Sequence, residues 1–346
     1  MTEPSQVRDL VVIGASAGGV EALKTVTSDL PADLPATVLV GLHLPASARS
    51  YLPEILARTC ALPVRQARQG MPLVPGEVVV APPDAHLLVV DDAVVLGRGP
   101  HENGSRPAHD AMLRSAALAR GPRVVAAVLT GLLDDGAAGL HVVHRHGGLC
   151  LVQDPADADF PSMPTAALRA VPDARSIPLR ALAEAVVRAV DEVAPPPPDV
   201  PEEVWQRDLA ELQSALGRAP IMPDGSPAGE PSPYGCPECH GVLNTVPDST
   251  VLRFRCRTGH AWSAESLVAR QDGDVEDALW TALRVLEERA EMSRRLAGMA
   301  TEAGRGWSEE HFLHRAEDAD RSASLLRAVL RREAEQPTLP TTATRP

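Results

Sequence analysis

A serine in a glycine-rich loop is the first residue whose surroundings suggest chemistry. The loop Gly14-Ala15-Ser16-Ala17-Gly18-Gly19 follows the apolar run 10–13 and precedes a helical pattern that begins near Val20. Small residues at a strand-to-helix turn allow a serine hydroxyl to stand clear of the backbone as a nucleophile. The free N–H groups of the helix that follows can stabilise an oxyanion. The same kind of turn also cradles pyrophosphate in dinucleotide-binding folds, so the loop alone leaves both interpretations open.

A histidine at the end of a second apolar run favours the nucleophile. His43 directly follows the run 37–42. The carboxyl ends of parallel strands meet at one edge of a sheet, so His43 can reach the Ser16 hydroxyl as a general base. A dinucleotide site would instead need glycine at position 16 and an acid after the second strand. The alternative for His43 is a hydrogen-bonded core residue.

Two aspartates after a third run are candidates for the residue that orients the histidine. Asp134 and Asp135 follow the apolar run 124–129. Either carboxylate could serve this role, or it could simply cap the helix predicted from Ala137. The order Ser, His, Asp along the chain differs from that of the α/β-hydrolases.

The elements that must position these residues alternate between strands and helices. The predicted strands are 10–13, 37–42, 77–81, 124–129 and 148–153, with a hairpin over 87–96 that turns at Asp91-Asp92, and the predicted helices are one from about Val20, 110–118, 137–146 and 182–193. Continuous apolar strands separated by helices predict an α/β fold with a doubly wound, mostly parallel sheet covered on both faces.

Six segments in order give the first half of the chain a family resemblance. They are 11–19, Leu42-His43-Leu44-Pro45, Ala81-Pro82-Pro83-Asp84-Ala85-His86-Leu87, Arg106-Pro107-Ala108-His109-Asp110, 129–139, and Gln153-Asp154-Pro155 followed by Met163-Pro164. Together they resemble the catalytic domain of CheB-type chemotaxis protein-glutamate methylesterases over residues 8–192. The resemblance implies a catalytic triad of Ser16, His43 and, directly before a glycine, Asp135 rather than Asp134. It implies no cofactor for catalysis.

The resemblance also implies a substrate and a reaction. Such an enzyme hydrolyses glutamate methyl esters on a chemoreceptor-like protein and deamidates glutamine in the same site. Ala17 stands where the family usually has threonine, and Leu132-Leu133-Asp134 replaces a more typical Met-Gly-Asn. The predicted domain begins within about ten residues of Met1, so we expect no receiver domain in cis and a separate receiver or signalling protein as a partner. These departures leave open a catalytically quiet scaffold as the alternative function.

A second group of residues has the spacing of a metal site. Two residues separate Cys236 from Cys239, and Cys256 and His260 follow after a gap of sixteen residues, with three residues between them. Three thiolates and one imidazole close a tetrahedron with no open position, which is typical of structural zinc. We predict a structural Zn²⁺ on these four residues; chance spacing is the alternative, and His240 is an alternative ligand. The segment also resembles the zinc-ribbon-like tails of some stand-alone methylesterase homologues.

The chain is expected to contain four parts. They are the catalytic domain 8–192, a Pro-rich linker 193–233 with spacer character from Pro223 through Pro233, a zinc-ribbon-like unit 234–267, and a helical hairpin 268–335 built from helices 275–299 and 312–330. The apolar face of the first helix is formed by Leu279, Leu283, Leu286 and Ala290. This face is interpreted as a docking or dimerisation surface, or equally as a face that packs against the zinc unit.

Composition limits the class of protein. The chain has 346 residues, 44% of them apolar, and a formal net charge of −13. The negative charge argues against nonspecific binding to nucleic acid or an anionic membrane surface. No apolar run approaches the length of a membrane span, and no signal peptide is apparent. Five cysteines, an odd number, do not suggest a disulfide framework, so we expect a cytoplasmic protein.

Overall fold

A computed structural model describes residues 7–218, 229–247 and 251–335 of the chain. The chain divides into two compact bodies, Met1–Leu267 and Val268–Pro346. The elements of the α/β part of the first body are β1 (Leu10–Ala15), α1 (Gly19–Ser28), β2 (Thr37–Leu42), α2 (Leu52–Leu56), β3 (Val64–Gln66), β4 (Val78–Val80), β5 (His86–Val90), β6 (Ala93–Gly97), α3 (His109–Arg120), β7 (Val124–Val128), α4 (Ala137–Arg145), β8 (Leu149–Gln153), α5 (Ser162–Ala170), β9 (Arg175–Ile177), α6 (Leu179–Asp191) and α7 (Glu202–Ala215).

A parallel sheet forms the centre of this body. Within the described residues it has seven strands in the order β3-β4-β2-β1-β7-β8-β9, and every neighbouring pair is parallel. The central strands β1, β2 and β7 are buried on both faces because their residues are apolar without alternation. Strands β5 and β6 pair separately as an antiparallel hairpin that turns at Asp91-Asp92.

Helices cover both faces of the sheet. On one face Leu10 and Val12 pack with residues of α3, α4 and α5. On the other face Val11 and Ile13 pack with residues of α1, α2 and α6. Neighbouring side chains of β1 therefore enter opposite cores, as expected from the period of a strand. The prediction of a doubly wound α/β fold is confirmed.

A helix lies inside the segment predicted as a linker. Helix α7 begins directly after Pro201, and Leu212 and Ala215 pack against Ala108 and Ala111 at the start of α3. The prediction of a linker is wrong for these residues. The prolines end before an amphipathic helix that has an apolar face to bury. The predicted spacer runs from Pro223 through Pro233. Its residues up to 228 lie outside the described residues, and the prediction is wrong for its end, which belongs to the strand Glu230–Gly235. The short elements α2, β3, α5 and β9 also had no separate prediction.

The zinc-ribbon-like segment folds as a small antiparallel sheet. Its strands are β10 (Glu230–Gly235), β11 (Val242–Val246), β12 (Arg253–Cys256) and β13 (Ala261–Ser263), paired in that order. Leu243, Phe254 and Trp262 form its buried centre together with Cys236 and Cys256. We call residues 229–267 the Cys/His module.

The second body is an antiparallel pair of helices. Helix α8 spans Ala264–Glu302 and α9 spans Gly306–Glu335. Leu283 is buried with Ala323 and Leu330 of α9, and an ion pair joins Glu287 to Arg327. The face predicted for docking therefore forms the seam between the two helices. None of the helices in the described part of the chain is long and apolar enough to cross a membrane.

Candidate active site

The three residues predicted as a triad come together at the carboxyl edge of the sheet. Ser16 follows β1, His43 follows β2 and Asp135 lies in the loop after β7, and β2 and β7 flank β1 on either side. His43 Nδ1 lies 3.0 Å from the Ser16 Oγ. His43 Nε2 lies 2.7 Å from the Asp135 Oδ2. The imidazole is thus placed to accept the serine proton while the carboxylate fixes its tautomer.

The start of helix α3 holds the Asp135 carboxylate. The backbone N–H of His109 donates to Oδ2 at 2.7 Å, and that of Asp110 donates to Oδ1 at 3.2 Å. Free N–H groups and the helix dipole both favour a negative charge at this place. Although burial favours the neutral acid, His109 and then His43 hold the pKa of Asp135 well below its usual range. The carboxylate therefore stays ionised beside the base.

A second histidine lies beneath the first. The rings of His109 and His43 stack with centroids 4.1 Å apart, and the His109 Nδ1 is 3.2 Å from the Asp135 Oδ2. The His109 ring has room because positions 14 and 41 are glycines. A Cβ on Gly14 or on Gly41 would come within 2.9 Å of the ring. Sequence reasoning gave His109 no role, although its position at the start of a helix predicted after the Arg106-Pro107 dipeptide was a usable signal.

His43 is tuned toward its neutral form. Burial lowers the pKa of the imidazole, the charge of His109 lowers it further, and Asp135 opposes both. A histidine whose pKa is lowered remains unprotonated at neutral pH and is ready to accept a proton. The electrostatics of the pair therefore suit a general base.

The neighbouring aspartate has a different role. Asp134 accepts hydrogen bonds from the hydroxyls of Ser263 at 2.6 Å and Ser266 at 3.0 Å. It therefore ties the Cys/His module to the loop after β7, and the cap that we considered for it is not made through its side chain. Burial raises the pKa of Asp134 above its usual value, whereas His109 and His43 hold the pKa of Asp135 below it. Asp135, and not Asp134, is the aspartate of this pair that contacts His43.

The loop that departs from the family pattern lines the site. Leu132 and Leu133 are 54% and 38% exposed, and Leu133 has a left-handed backbone with φ of 59°. The backbone N–H of Ser16 donates to Thr130 and that of Gly131 donates to Phe160. Among the residues that the structure describes, the N–H groups of Ala17 and Leu132 donate no hydrogen bond. These two groups are available to an oxyanion.

The four predicted metal ligands also converge. One ligand atom from each of Cys236, Cys239, Cys256 and His260 lies within 4.8 Å of the others. The Cys239 and Cys256 sulfurs are 3.5 Å apart, and His260 Nδ1 is 3.6 Å from the Cys256 Sγ. A tetrahedral zinc ion with Zn–S bonds of about 2.3 Å separates its ligand atoms by roughly 3.8 Å. The donor set therefore fits zinc, and the exposed His240 is not part of it.

Comparison with known proteins gives the same family as the sequence motifs. Residues 11–186 match the family model of the CheB methylesterase. Protein-glutamate methylesterase/protein-glutamine glutaminase 1 of Xanthomonas campestris pv. campestris is 40% identical over 182 residues, which is 51% of this chain and 51% of that protein. A protein with the same description, numbered 2, from Methanosarcina mazei is 35% identical over 198 residues, 55% of this chain and 54% of that one.

A solved structure agrees with the fold. The Thermotoga maritima CheB methylesterase catalytic domain is 30% identical, with a TM-score of 0.50 over 52% of this chain and 97% of its own. The chain spans about half the length of the curated relatives that it matches. Since the family model covers more than half of the 346 residues, the resemblance is confirmed, and the chain belongs to the CheB methylesterase family.

Proposed function

We propose that this chain is a protein-glutamate methylesterase that uses Ser16, His43 and Asp135 as its catalytic triad. The observation that carries the proposal is the continuous contact from the Ser16 Oγ through both ring nitrogens of His43 to Asp135, with distances of 3.0 and 2.7 Å. The names of the relatives support the same reaction, and they add glutamine deamidation by the same chemistry.

The reaction proceeds in two halves. The Ser16 Oγ attacks the ester carbonyl carbon while His43 Nδ1 takes the hydroxyl proton. The carbonyl–methoxy bond then breaks, and His43 returns the proton so that methanol leaves. Water then attacks the acyl carbon while His43 takes its proton. The bond from the acyl carbon to Ser16 Oγ breaks, His43 returns the proton to Oγ, and the glutamate carboxylate is released. Asp135 keeps the imidazole oriented and stabilises its charged form in both halves.

The oxyanion of each half needs hydrogen-bond donors close to Ser16. We assign this role to the backbone N–H groups of Ala17 and Leu132. Their neighbours Ser16 and Gly131 already donate to carbonyl groups and are engaged in holding the two loops together. Donors that are fixed before the charge develops stabilise the transition state most effectively.

Methanol release from a methylated receptor peptide tests the proposal. Ser16→Ala is expected to lower turnover by a factor on the order of 10⁴ or more. Ser50→Ala, another serine in a loop that follows a central strand, is the matched control and keeps full turnover. A fluorophosphonate probe should label the wild type and not a His43→Ala variant. Unchanged turnover in Ser16→Ala would rule out Ser16 as the nucleophile. An unlabelled wild type that releases no methanol would favour the catalytically quiet scaffold instead.

The substrate in this proposal is a methylated chemoreceptor-like protein. We propose that a separate receiver or signalling protein regulates this activity. The described cysteines form no disulfide bond, which is in keeping with a cytoplasmic site of action.

We also propose that Cys236, Cys239, Cys256 and His260 hold a structural Zn²⁺. Such an ion supplies no catalysis; its binding free energy of roughly 10–16 kcal/mol favours the folded form of a small module. Metal analysis of the purified protein should give about one zinc per chain. Cys256→Ser should lose the metal, and Cys60→Ser, a cysteine far from the cluster in sequence, should keep it. Less than about a tenth of an equivalent in the wild type contradicts this proposal.

A further inference from the structure

The Cys/His module pairs with a loop of the α/β part. The loop that joins β6 to α3 runs alongside β13: the Ala261 N–H donates to the carbonyl of His101 at 3.2 Å, and the Asn103 N–H donates to the carbonyl of Ala261 at 2.8 Å. Two backbone hydrogen bonds in succession make this loop an extension of the small sheet. The Cys/His module therefore holds the residues that come just before α3, the helix whose first N–H groups donate to Asp135.

Asn103 connects this loop to the triad. Its Oδ1 accepts the backbone N–H of Ser263 in β13 at 2.8 Å. Its Nδ2 donates to Asp135 Oδ1 and to Asp110 Oδ2, each at 3.0 Å. Asn103 therefore bonds the triad carboxylate with one end of its amide and the Cys/His module with the other. The carboxamide cannot rotate without breaking bonds on both sides.

A buried cluster of charges fixes the module to the same loop. Glu102 is 1% exposed and pairs with Arg114 of α3 at 2.9 Å and with Arg255 of β12 at 3.1 Å. Glu211 of α7 pairs with Arg114 at 2.8 Å and with Arg253 of β12 at 3.0 Å. Buried ion pairs tolerate little displacement, because each charge depends on its partners for solvation. The cluster therefore fixes how β12 sits on the catalytic part.

A further bridge starts at the candidate metal ligands. Glu238, between Cys236 and Cys239, accepts from His101 at 2.9 Å and lies 3.0 Å from the Nε2 of His260. His260 presents its other nitrogen to the cysteine cluster. A carboxylate behind a ligating histidine is the usual outer partner that orients such a ligand. Here the same carboxylate also contacts the loop that carries Asn103.

We propose that the Cys/His module is a working part of the active site, in which the Ser263 backbone fixes Asn103 and Asn103, as a positioning residue, orients Asp135. This inference rests on the proposed triad. When the module is folded, Asp135 receives a donor from outside the helix start and keeps the geometry that His43 needs. When the module loosens, Asn103 loses its anchor, and the triad loses its alignment without losing any of its own residues.

The first test removes the Asn103 side chain alone. Asn103 has a left-handed backbone with φ of 52°, so Asn103→Gly deletes the amide without adding strain. Loss of one hydrogen bond to a buried carboxylate predicts a fall in kcat on the order of 10- to 100-fold. KM should stay within about twofold, since Asn103 lies behind Asp135. Asn244→Ala is the matched control. Among the described residues, this buried amide of β11 donates to the carbonyl of Arg255 within the module, and its loss should leave kcat unchanged.

The second test uses the metal. A chelator that strips zinc from the full chain should lower kcat and the rate of fluorophosphonate labelling at Ser16 by about tenfold, and added Zn²⁺ should restore both. In Asn103→Gly the same treatment should change either rate by less than about twofold, because the connection is already broken. Equal losses in wild type and variant contradict the proposal, as does a kcat in Asn103→Gly equal to that of the wild type.

The two proposals fail in different ways. If the wild type releases methanol but neither Asn103→Gly nor chelation changes its rate, the esterase stands and the coupling is wrong. If the wild type releases no methanol, the proposed function is wrong, and the labelling rate of Ser16 still reports whether the module aligns the triad. A chain that contains no zinc overturns the metal arm, and the Asn103→Gly kinetics then decide the positioning role.

Discussion

Removal of one charge from the buried cluster is the most demanding test of how the Cys/His module is attached. Glu102→Gln keeps the shape of the side chain and removes its charge. The wild-type carboxylate accepts from Arg114 at 3.2 and 2.9 Å and from Arg255 at 3.1 Å, and all three residues are at most 2% exposed. In the variant, Glu211 still pairs with the guanidinium groups of Arg114, Arg253 and Arg255, but the negative charge of residue 102 is gone.

The expected cost follows from this burial. Breaking a buried ion pair by removing one partner costs about 3–5 kcal/mol, since an uncompensated charge stays in the interior. At roughly 2–4 °C per kcal/mol for a domain of this size class, the thermal midpoint should fall by roughly 6–20 °C. The pKa of Glu102 lies well below its usual range because Arg114 and then Arg255 outweigh the opposing effect of burial, so the loss applies throughout the neutral range.

Calorimetry of the full chain measures this loss, and Glu184→Gln is the matched control. Glu184 pairs with Arg188 on the surface of α6, where the side chains are 69% and 62% exposed. An exposed pair of this kind contributes about 0.3–0.5 kcal/mol, so the control should move the midpoint by a degree or two at most. A Glu102→Gln midpoint within about 2 °C of the control would refute the view that the cluster holds the module in place.

Two further predictions concern the site itself. Because burial and His109 lower the pKa of His43, kcat/KM for ester hydrolysis should rise with pH through a midpoint below the ordinary histidine value of about 6.5. His109→Leu should move that midpoint to higher pH, since the electrostatic effect of His109 no longer opposes protonation of His43; a pH–rate profile that moves the other way contradicts the assignment. Leu133→Gly should stabilise the chain by up to about 1 kcal/mol in urea denaturation, because glycine adopts the left-handed backbone without steric cost. Leu132→Gly, at a residue without a positive φ, should destabilise it, and equal effects of the two changes would count against strain at Leu133.

Local sequence patterns predicted the inner strands of the sheet and placed Ser16, His43 and the pair Asp134/Asp135 at its carboxyl edge, and the family resemblance selected Asp135. Each of Ser16, His43 and Asp135 directly follows or closely follows an apolar run, and the parallel sheet necessarily brings the ends of such runs to one edge. The same logic failed for α7, because the proline stretch before it was taken to describe the whole segment. An amphipathic helix after a proline needs only a partner surface, which α3 provides.

The sequence by itself determined the inner strands, the candidate nucleophile and base, and the spacing of the four candidate zinc ligands. These features depend on residues that are close in the chain or at the ends of neighbouring strands. Only the tertiary structure decided that Asn103 joins Asp135 to Ser263 and that Glu102 shares Arg114 with Glu211. The bond from Asn103 to Ser263 spans 160 positions of the chain. Contacts at such separations leave no local pattern in the sequence. They exist only once the Cys/His module has folded onto the loop before α3.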